Sequence, residues 1–510
     1  MNKRLVAVCI VLTLAGGMLI GTTGRSRAAA TSTTDPSLWK PWVLTSADEF
    51  RLPSPPAADS EVTRHELRIL HTYQSQRTPA VRREIKKWNS GATVVPWTKE
   101  ALQMIEDHRP RPPFAARDLA LLETGLYDAF VAAADSRSYW ADSTRPAPSR
   151  LDDSLEPVLK VRHGSTYAPS QAVVAGAAEK ILAYLFPDQS ATTFTALGDQ
   201  AVKSRLYAGV NYPSDVRRAR HLGHEVAGAV IAHGEADGHQ GTTVAHPRKI
   251  GDAYWIPTGP GFQDPFGGPV GSWKSWTLGN TDQFITLLPG PYTYGSTDFM
   301  AEVQQVIDVQ TNLTEEQRQI AHFWDDGPGT TTPAGHWFEI ATELLGTYGA
   351  TDAQATRIFA SLGVAEADAA IAVFDAKYTY WAVRPITAVW RICDADRHLC
   401  SDQELDPNGD HVQDGTRSPY YGTWFPLIET PSFPSYPGGH STFSGAAAKV
   451  LTYAFPTAGD SLTKLANEAA MSRLYGGIHF DSDNRDGLTL GQAVADLVIQ
   501  RLQDDGSAAP

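Results

Sequence analysis

The chain has 510 residues, of which 42% are hydrophobic and 20% charged, and its formal net charge is -14 at pH 7. That length accommodates two or three ordinary domains, or one large body built from two sub-bundles around a substantial core. The acidic balance argues against nucleic acid or an anionic membrane as the main partner.

In chain order, residues 1–30 read as an export signal: Lys3 and Arg4 precede an apolar run from Leu5 to Ile20, and Ala28-Ala29-Ala30 supplies small residues for cleavage. The competing reading, a retained anchor, is disfavoured by Gly16 and Gly17 within the run and by Arg25 and Arg27 after it. Cleavage removes four basic residues and no acid, so the mature charge becomes -18 and the expected location is secreted, outside the cytoplasm. Residues 31–60, rich in Ser, Thr, Pro and Asp, are expected to form an extended or surface-draped arm.

Helical periodicity then dominates, at roughly 115–134, 170–186, 214–233, 313–324, 351–376 and 440–455, and again from Leu490 through Val494, Leu497 and Val498 to Leu502. Few segments alternate with period two, so the expected class is all-α. Residues 61–236 form one expected bundle and 301–510 a second. Between them, 237–300 is crowded with Gly, Pro, Trp and Tyr and reads as an irregular excursion that walls or covers a cleft.

The two bundles look like copies. SRLYAGVNYPSDVRRARHLG from Ser204 matches SRLYGGIHFDSDNRDGLTLG from Ser472 at ten of twenty positions, and Gly176–Pro187 matches Gly445–Pro456 at eight of twelve. Asp135-Ser136-Arg137 followed by Arg145-Pro146 echoes Asp375-Ala376-Lys377 followed by Arg384-Pro385. Within this repeat Gln171 stands at the place of His440 and Asn211 at that of His479, while Arg205 and Asp215 persist. Residues kept in both copies can owe their place to packing, whereas the two imidazoles are confined to the second. The chemistry is therefore expected in the C-terminal bundle, with the first as scaffold.

Three C-terminal segments carry anion-handling residues. Lys377 and Arg384 lie seven apart, so on one continuing helix they project from the same face. They form either a solvated charged face or, given the collar of Tyr378, Tyr380, Trp381 and Trp390, a partly dry anion pocket. Pro437-Gly438-Gly439-His440 opens a small-residue helix, where glycines allow close backbone approach and the helix N-terminus favours negative charge. His440 at that mouth suits general acid–base chemistry or a plain cap. Arg473, His479 and Asp483 follow, and Asp483 either fixes the His479 tautomer or caps the next helix. Elsewhere, Cys393 and Cys400 form a close pair expected as a disulfide, with free thiols or a partial metal site as alternatives. Asp406, Asn408, Asp410 and Asp414 have a calcium-like spacing but lack the closing glutamate, and read as an acidic turn.

Lys-x6-Arg-Pro, Pro-x-Gly-His and Ser-Arg-x5-His-x3-Asp, in that order, resemble the signature shared by vanadium-dependent haloperoxidases and the type 2 phosphatidic acid phosphatase superfamily of acid phosphatases. The resemblance implies a vanadate cofactor, or phosphate in the same site, neutralised by Lys377, Arg384 and Arg473 with Gly438 and Gly439 beside it and a Gly439 N–H donated to it. It makes His440 the acid–base, Lys377 the group polarising peroxide, and His479 the vanadium ligand or, in a phosphatase, the phosphorylated nucleophile. Asp483 supports His479, Asp326 supports the motif arginine, and Phe433 and Phe374 line a halide pocket. Two bundles and the Phe433-Pro434-Ser435-Tyr436-Pro437 run favour the haloperoxidase branch, whose substrates are hydrogen peroxide, halide and an organic acceptor; a homodimer is compatible with it. The rival expectations are a secreted acid phosphatase with a phosphohistidine intermediate, and a vanadium-free oxyanion-binding or rearrangement protein. One departure concerns Gly438, where the family carries Ser. The missing charge-assisted hydrogen bond is worth roughly 1.5–3 kcal/mol, or about one to two orders of magnitude in affinity.

Overall fold

The computed structural model describes residues 35–161, 166–242, 246–259, 261–395 and 424–507. The export signal, Cys400 and the 406–414 run lie outside these, as does the side chain of Cys393, so the disulfide and calcium expectations fall outside the described residues. Seventeen α-helices and no strand occur among the described residues, which establishes the all-α class.

The first half holds α1 (Glu61–Ser75), α2 (Pro79–Asn89), α3 (Val95–His108), α4 (Pro112–Tyr139), α5 (Pro148–Leu151), α6 (Ser170–Leu185), α7 (Ala191–Tyr207) and α8 (Pro213–Glu235). After the excursion, which carries the short α9 (Asp282–Leu287) and runs into α10 (Thr297–Thr311), the same order recurs. It runs through α10, α11 (Glu315–Phe323), α12 (Thr332–Tyr348), α13 (Asp352–Tyr380), α14 (Pro385–Ala395), α15 (Gly439–Ala454), α16 (Gly459–Tyr475) and α17 (Asp481–Gln503). Local chemistry starts many of them. Ser60 and Thr78 cap α1 and α2 by accepting the N–H groups of Thr63 and Val81, and Thr314 and Thr351 open α11 and α13 with full capping boxes.

The halves meet along α4 and α13, helices of 28 and 29 residues, and the described residues form one compact unit. Both are buried on nearly every side along their central turns, so neither shows a polar stripe there. A Cβ at Gly363 would lie 3.0 Å from Ala120 Cα, so the pair approaches almost to backbone contact. Two glycines of the sequence repeat have the same cause in both halves. A Cβ at Gly223 in α8 would overlap the Val173 carbonyl of α6, and one at Gly491 in α17 would overlap the Thr442 carbonyl of α15.

The arm and the excursion are held by one device used twice. Asp128 of α4 accepts the N–H groups of Trp42, Val43 and Leu44 at 2.7–2.9 Å. Asp368, its counterpart on α13, accepts those of Trp276 and Thr277 at 2.8 and 2.7 Å. The excursion then lies against the end of α13: Trp255 N–H donates to the Trp381 carbonyl (2.8 Å), Val383 N–H to that of Ala253 (3.0 Å), and Phe266 N–H to that of Ser432 (2.8 Å).

Candidate active site

Lys377 sits in the last turn of α13, but Arg384 does not continue that helix. Trp381 adopts the left-handed conformation (φ 56°), which ends α13, and Pro385 begins α14. The shared-face geometry expected from a seven-residue spacing is therefore replaced by a turn. The two cations still converge, with Lys377 Nζ 5.1 Å and the Arg384 guanidinium 5.0 Å from the centre of the Phe433 ring.

Each cation is oriented by carbonyl oxygens. Lys377 Nζ donates to those of Pro434 (3.1 Å), Ser435 (2.7 Å) and Pro437 (2.5 Å), which pins the loop entering α15 and commits all three ammonium hydrogens. Arg384 donates from Nε to Phe433 (2.9 Å) and from Nη1 to Ile478 (2.9 Å), while its Nη2 is buried without a partner. Arg473 donates from Nη2 to the carbonyls of Trp324 and Ala321 and from Nε to Ser472 Oγ (3.0 Å).

All three cations are at most 1% exposed, and among the described residues none is ion-paired with a carboxylate. Burial, then Arg384, pushes Lys377 well below the usual lysine range. Burial likewise brings Arg384 down to about 9 and Arg473 to about 10. These three desolvated groups face Asp483, and Asp325 and Asp326 act on Arg473 through space, but none of the three touches a carboxylate.

His479 is set between the two signs. Its Nδ1 lies 2.9 Å from Asp483 Oδ2, and its Nε2 lies 3.0 Å from Arg384 Nη1, which can only donate. The proton therefore belongs on Nδ1 and a lone pair on Nε2. Burial, then Arg384, holds this imidazole well below the usual histidine range, so it is neutral at neutral pH. The same Asp483 oxygen accepts Phe480 N–H at 3.1 Å, so both sequence readings of Asp483 are realised at once. Ser435 Oγ adds a third donor at 2.6 Å.

His440, the second residue of α15, is partly exposed at the mouth. Its Nε2 is 3.2 Å from the Asp325 carbonyl and 3.3 Å from Arg473 Nη1, an acceptor and a donor on one nitrogen. Either protonation state of that nitrogen thus has a partner, as proton shuttling requires. Desolvation by the surrounding protein and then Arg473 lower its pKa from the usual histidine value.

Several expected residues are placed differently. Gly438 N–H is taken by the Asp483 carbonyl (2.7 Å), so Gly438 is the cap of α15 rather than a donor to a ligand. Gly439 begins the helix, where first-turn N–H groups lack intrahelical acceptors. The space a serine hydroxyl would need at 438 is crowded, because a Cβ there would meet Asp483 O at 3.0 Å, Ser441 Oγ at 3.0 Å and Asn484 Oδ1 at 3.1 Å. Asp326 hydrogen-bonds not Arg473 but His336 Nδ1, at 3.1 and 3.2 Å. Its left-handed backbone (φ 47°) follows the carbonyls that do reach Arg473, and its charge acts on the guanidinium only through space. Phe433 is partly exposed at the site, whereas Phe374 is 3% exposed and packs behind it at 5.3 Å.

Sequence reasoning missed Ser435, Asn484 and Phe266, the last packed at 6.1 Å from Phe374. Ser435 carried a readable signal, a lone hydroxyl inside an aromatic-proline run, but Phe266 comes from the irregular excursion and carried none.

The VCPO second helical-bundle domain matches residues 357–460 and 456–506. Over 80% of its length, the chain is similar to the crystal structure of a bacterial vanadium-dependent iodoperoxidase, with a TM-score of 0.60 and 24% identity, covering 95% of that chain. A holo-type bacterial vanadium-dependent chloroperoxidase is similar at a TM-score of 0.53 and 17% identity, over 80% of this chain and 98% of that one. Residues 357–506 thus match the second helical bundle of that domain family, and the chain shares the fold of these vanadium-dependent haloperoxidases. No curated protein matches it. The domain match spans α13 to α17 and so takes in all three motifs.

Proposed function

We propose that the protein is an exported vanadate-dependent haloperoxidase that oxidises halide with hydrogen peroxide to a hypohalous-acid equivalent. The observation that carries this reading is a set of three buried cations, one with an unpartnered N–H, that touch no carboxylate among the described residues and converge with the Nε2 lone pair of His479 and the N-terminus of α15. That donor set suits a tetrahedral or trigonal-bipyramidal oxyanion. Vanadate would fit it: Arg384, Arg473 and the Gly439 N–H would take its oxygens, His479 Nε2 would ligate it after exchanging its hydrogen bond from Arg384 Nη1, and the bound ion would supply a Lewis-acid centre for peroxide. His440 moves the proton at Nε2, supported by Arg473 and the Asp325 carbonyl in either state. Lys377 contributes its charge while its hydrogens hold the 434–437 loop, so a direct contact with an oxyanion requires it to exchange one carbonyl. Phe433, beside both cations, gives a halide an apolar wall near positive charge.

The full chain, loaded with orthovanadate, is assayed for halogenation of an activated diketone with peroxide and iodide or bromide, and for phosphomonoester hydrolysis. Halogenation dependent on vanadate is expected, and His479→Ala should weaken vanadium retention by more than about 100-fold, beyond the cost of losing a supporting group. Phosphomonoester hydrolysis that vanadate inhibits, without halogenation, assigns a phosphatase instead, with His479 Nε2 as nucleophile.

A further inference from the structure

Arg473 and His440 are steered by one short stretch of backbone. The end of α11 and the turn after it present three carbonyls: those of Ala321 and Trp324 take Arg473 Nη2, and that of Asp325 lies 3.5 Å from Arg473 Nη1 and 3.2 Å from His440 Nε2. The aim of both side chains therefore depends on what holds this turn. Helical bonding holds it poorly, since Asp325 N–H reaches the His322 carbonyl only at 3.4 Å and Asp326 has left the helix for the left-handed region (φ 47°). A non-glycine residue keeps that conformation only where its surroundings impose it.

His336, near the start of α12, imposes it through three contacts. Its Nδ1 lies 3.1 and 3.2 Å from the two Asp326 oxygens, its ring stacks on Trp324 at 4.4 Å and 23°, and it meets Phe323 edge-on at 4.9 Å. A carboxylate can only accept, so Nδ1 carries a proton there. Trp324 is tied further by its Nε1, which donates to Glu468 Oε1 at 3.0 Å. Among the described residues His336 makes no hydrogen bond to Arg473, His440 or His479 themselves.

We infer that His336 is a positioning residue for Arg473 and His440 together, acting through the carbonyls of residues 321–325. This role rests on the oxyanion reading of the site and not on halogenation. Two variants separate its contacts: His336→Phe keeps a ring on Trp324 and Phe323 but leaves Asp326, 7% exposed, without its donor, and His336→Asn restores an amide donor without the ring. The first readout needs no ligand. In the full chain carrying ¹⁵N-labelled histidine, with His440 assigned by His440→Gln, His336→Phe should move the His440 imidazole signal and His336→Asn should return it toward the native position. Asp326→Asn, which suits a left-handed backbone, weakens the same contact from its other end and should move that signal in the same direction if His336→Phe fails to fold. The second readout is vanadium bound after equilibrium dialysis against orthovanadate. His336→Phe should weaken it about tenfold and His336→Asn should recover most of the loss. With Arg473→Gln already present, His336→Phe should add less than about threefold, because the two substitutions act on one interaction. A His440 signal and a vanadate affinity both unchanged in folded His336→Phe overturn the inference. So does a tenfold loss that persists beside Arg473→Gln, which marks general loosening, or an Asn variant no better than Phe. A native chain that takes up no vanadate overturns the oxyanion reading instead, and the His440 signal then decides the positioning role by itself.

Discussion

Arg145 and Arg384 follow equivalent helices, precede equivalent prolines and are both almost fully buried, yet their surroundings differ in sign. Arg145 pairs with Glu66 and Asp215 and stacks on Tyr212 at 3.6 Å. Arg384 faces carbonyls and an imidazole, although the counterpart acids are present. Glu302, like Glu66, accepts N–H and hydroxyl groups from the serine that opens the last helix, Ser482 in one half and Ser214 in the other. Asp483 turns to His479, Ser435 and Phe480. The same acids close the ion pair in one half and leave the cation open in the other. A site is made here by withholding partners from a charge that the fold can bury either way.

The largest test of this contrast is a pair of substitutions. Arg145→Met should cost about 3–5 kcal/mol, because it strands two buried carboxylates. Arg384→Met strands no carboxylate and should cost less, about 1–3 kcal/mol for the acceptors it leaves without a donor, while abolishing oxyanion binding. Denaturant unfolding decides it, and equal costs would break the comparison. Next, Asp483→Asn should weaken vanadate retention about 10–100-fold through loss of the His479 tautomer, whereas Asp215→Asn should leave retention unchanged. Vanadium content across a loading series measures both. Third, Gly438→Ser should lower stability by roughly 1–2 kcal/mol, since its Cβ meets three atoms at about 3 Å. Trimming a neighbour with Asn484→Ala should return most of that loss and, with the hydroxyl in place, raise vanadate affinity.

The smallest effect concerns the central helices. Glu123 of α4 is bonded to Thr98 at 2.7 Å, but both carboxyl oxygens of Glu366 in α13 are buried without partners. Burial alone holds Glu366 well above the usual 4.5. A carboxyl raised in the folded state adds no ionisation cost below its unfolded value and costs stability as pH climbs from there toward its folded value. Glu366→Leu should therefore stabilise at pH 4, where it removes a buried carboxyl without partners, and stabilise more at pH 8, and Glu123→Leu should gain less. Thermal unfolding across that range checks the sign.

The motifs, the repeat and the helical class were legible because each is a matter of residue type and spacing. Periodicity found 170–186 and 440–455 almost to the residue, against observed helices at Ser170–Leu185 and Gly439–Ala454. It undershot α4 and α13 at their ends and passed over α12, whose first half is buried on all sides, because a helix without a wet face has no period to read. Within the site, the residue types were visible but their pairings were not. Trp381 ends α13 through one backbone angle, and Asp326 turns from Arg473 to His336 through another. The guanidinium groups are steered by carbonyls, which every residue carries and no sequence pattern marks.

The glycine crossing of α15 and α17 has a mechanical consequence. His440 rides the first turn of one helix and His479 precedes the first turn of the other, and where Gly491 meets the Thr442 carbonyl there is no layer of side chains to act as a bearing. Helices slide past one another through such a layer, so this pair has little freedom to shear. The separation of the two imidazoles is thus set by backbone against backbone. What remains open at the site's mouth is framed by Phe433 and His440, the partly exposed side chains there.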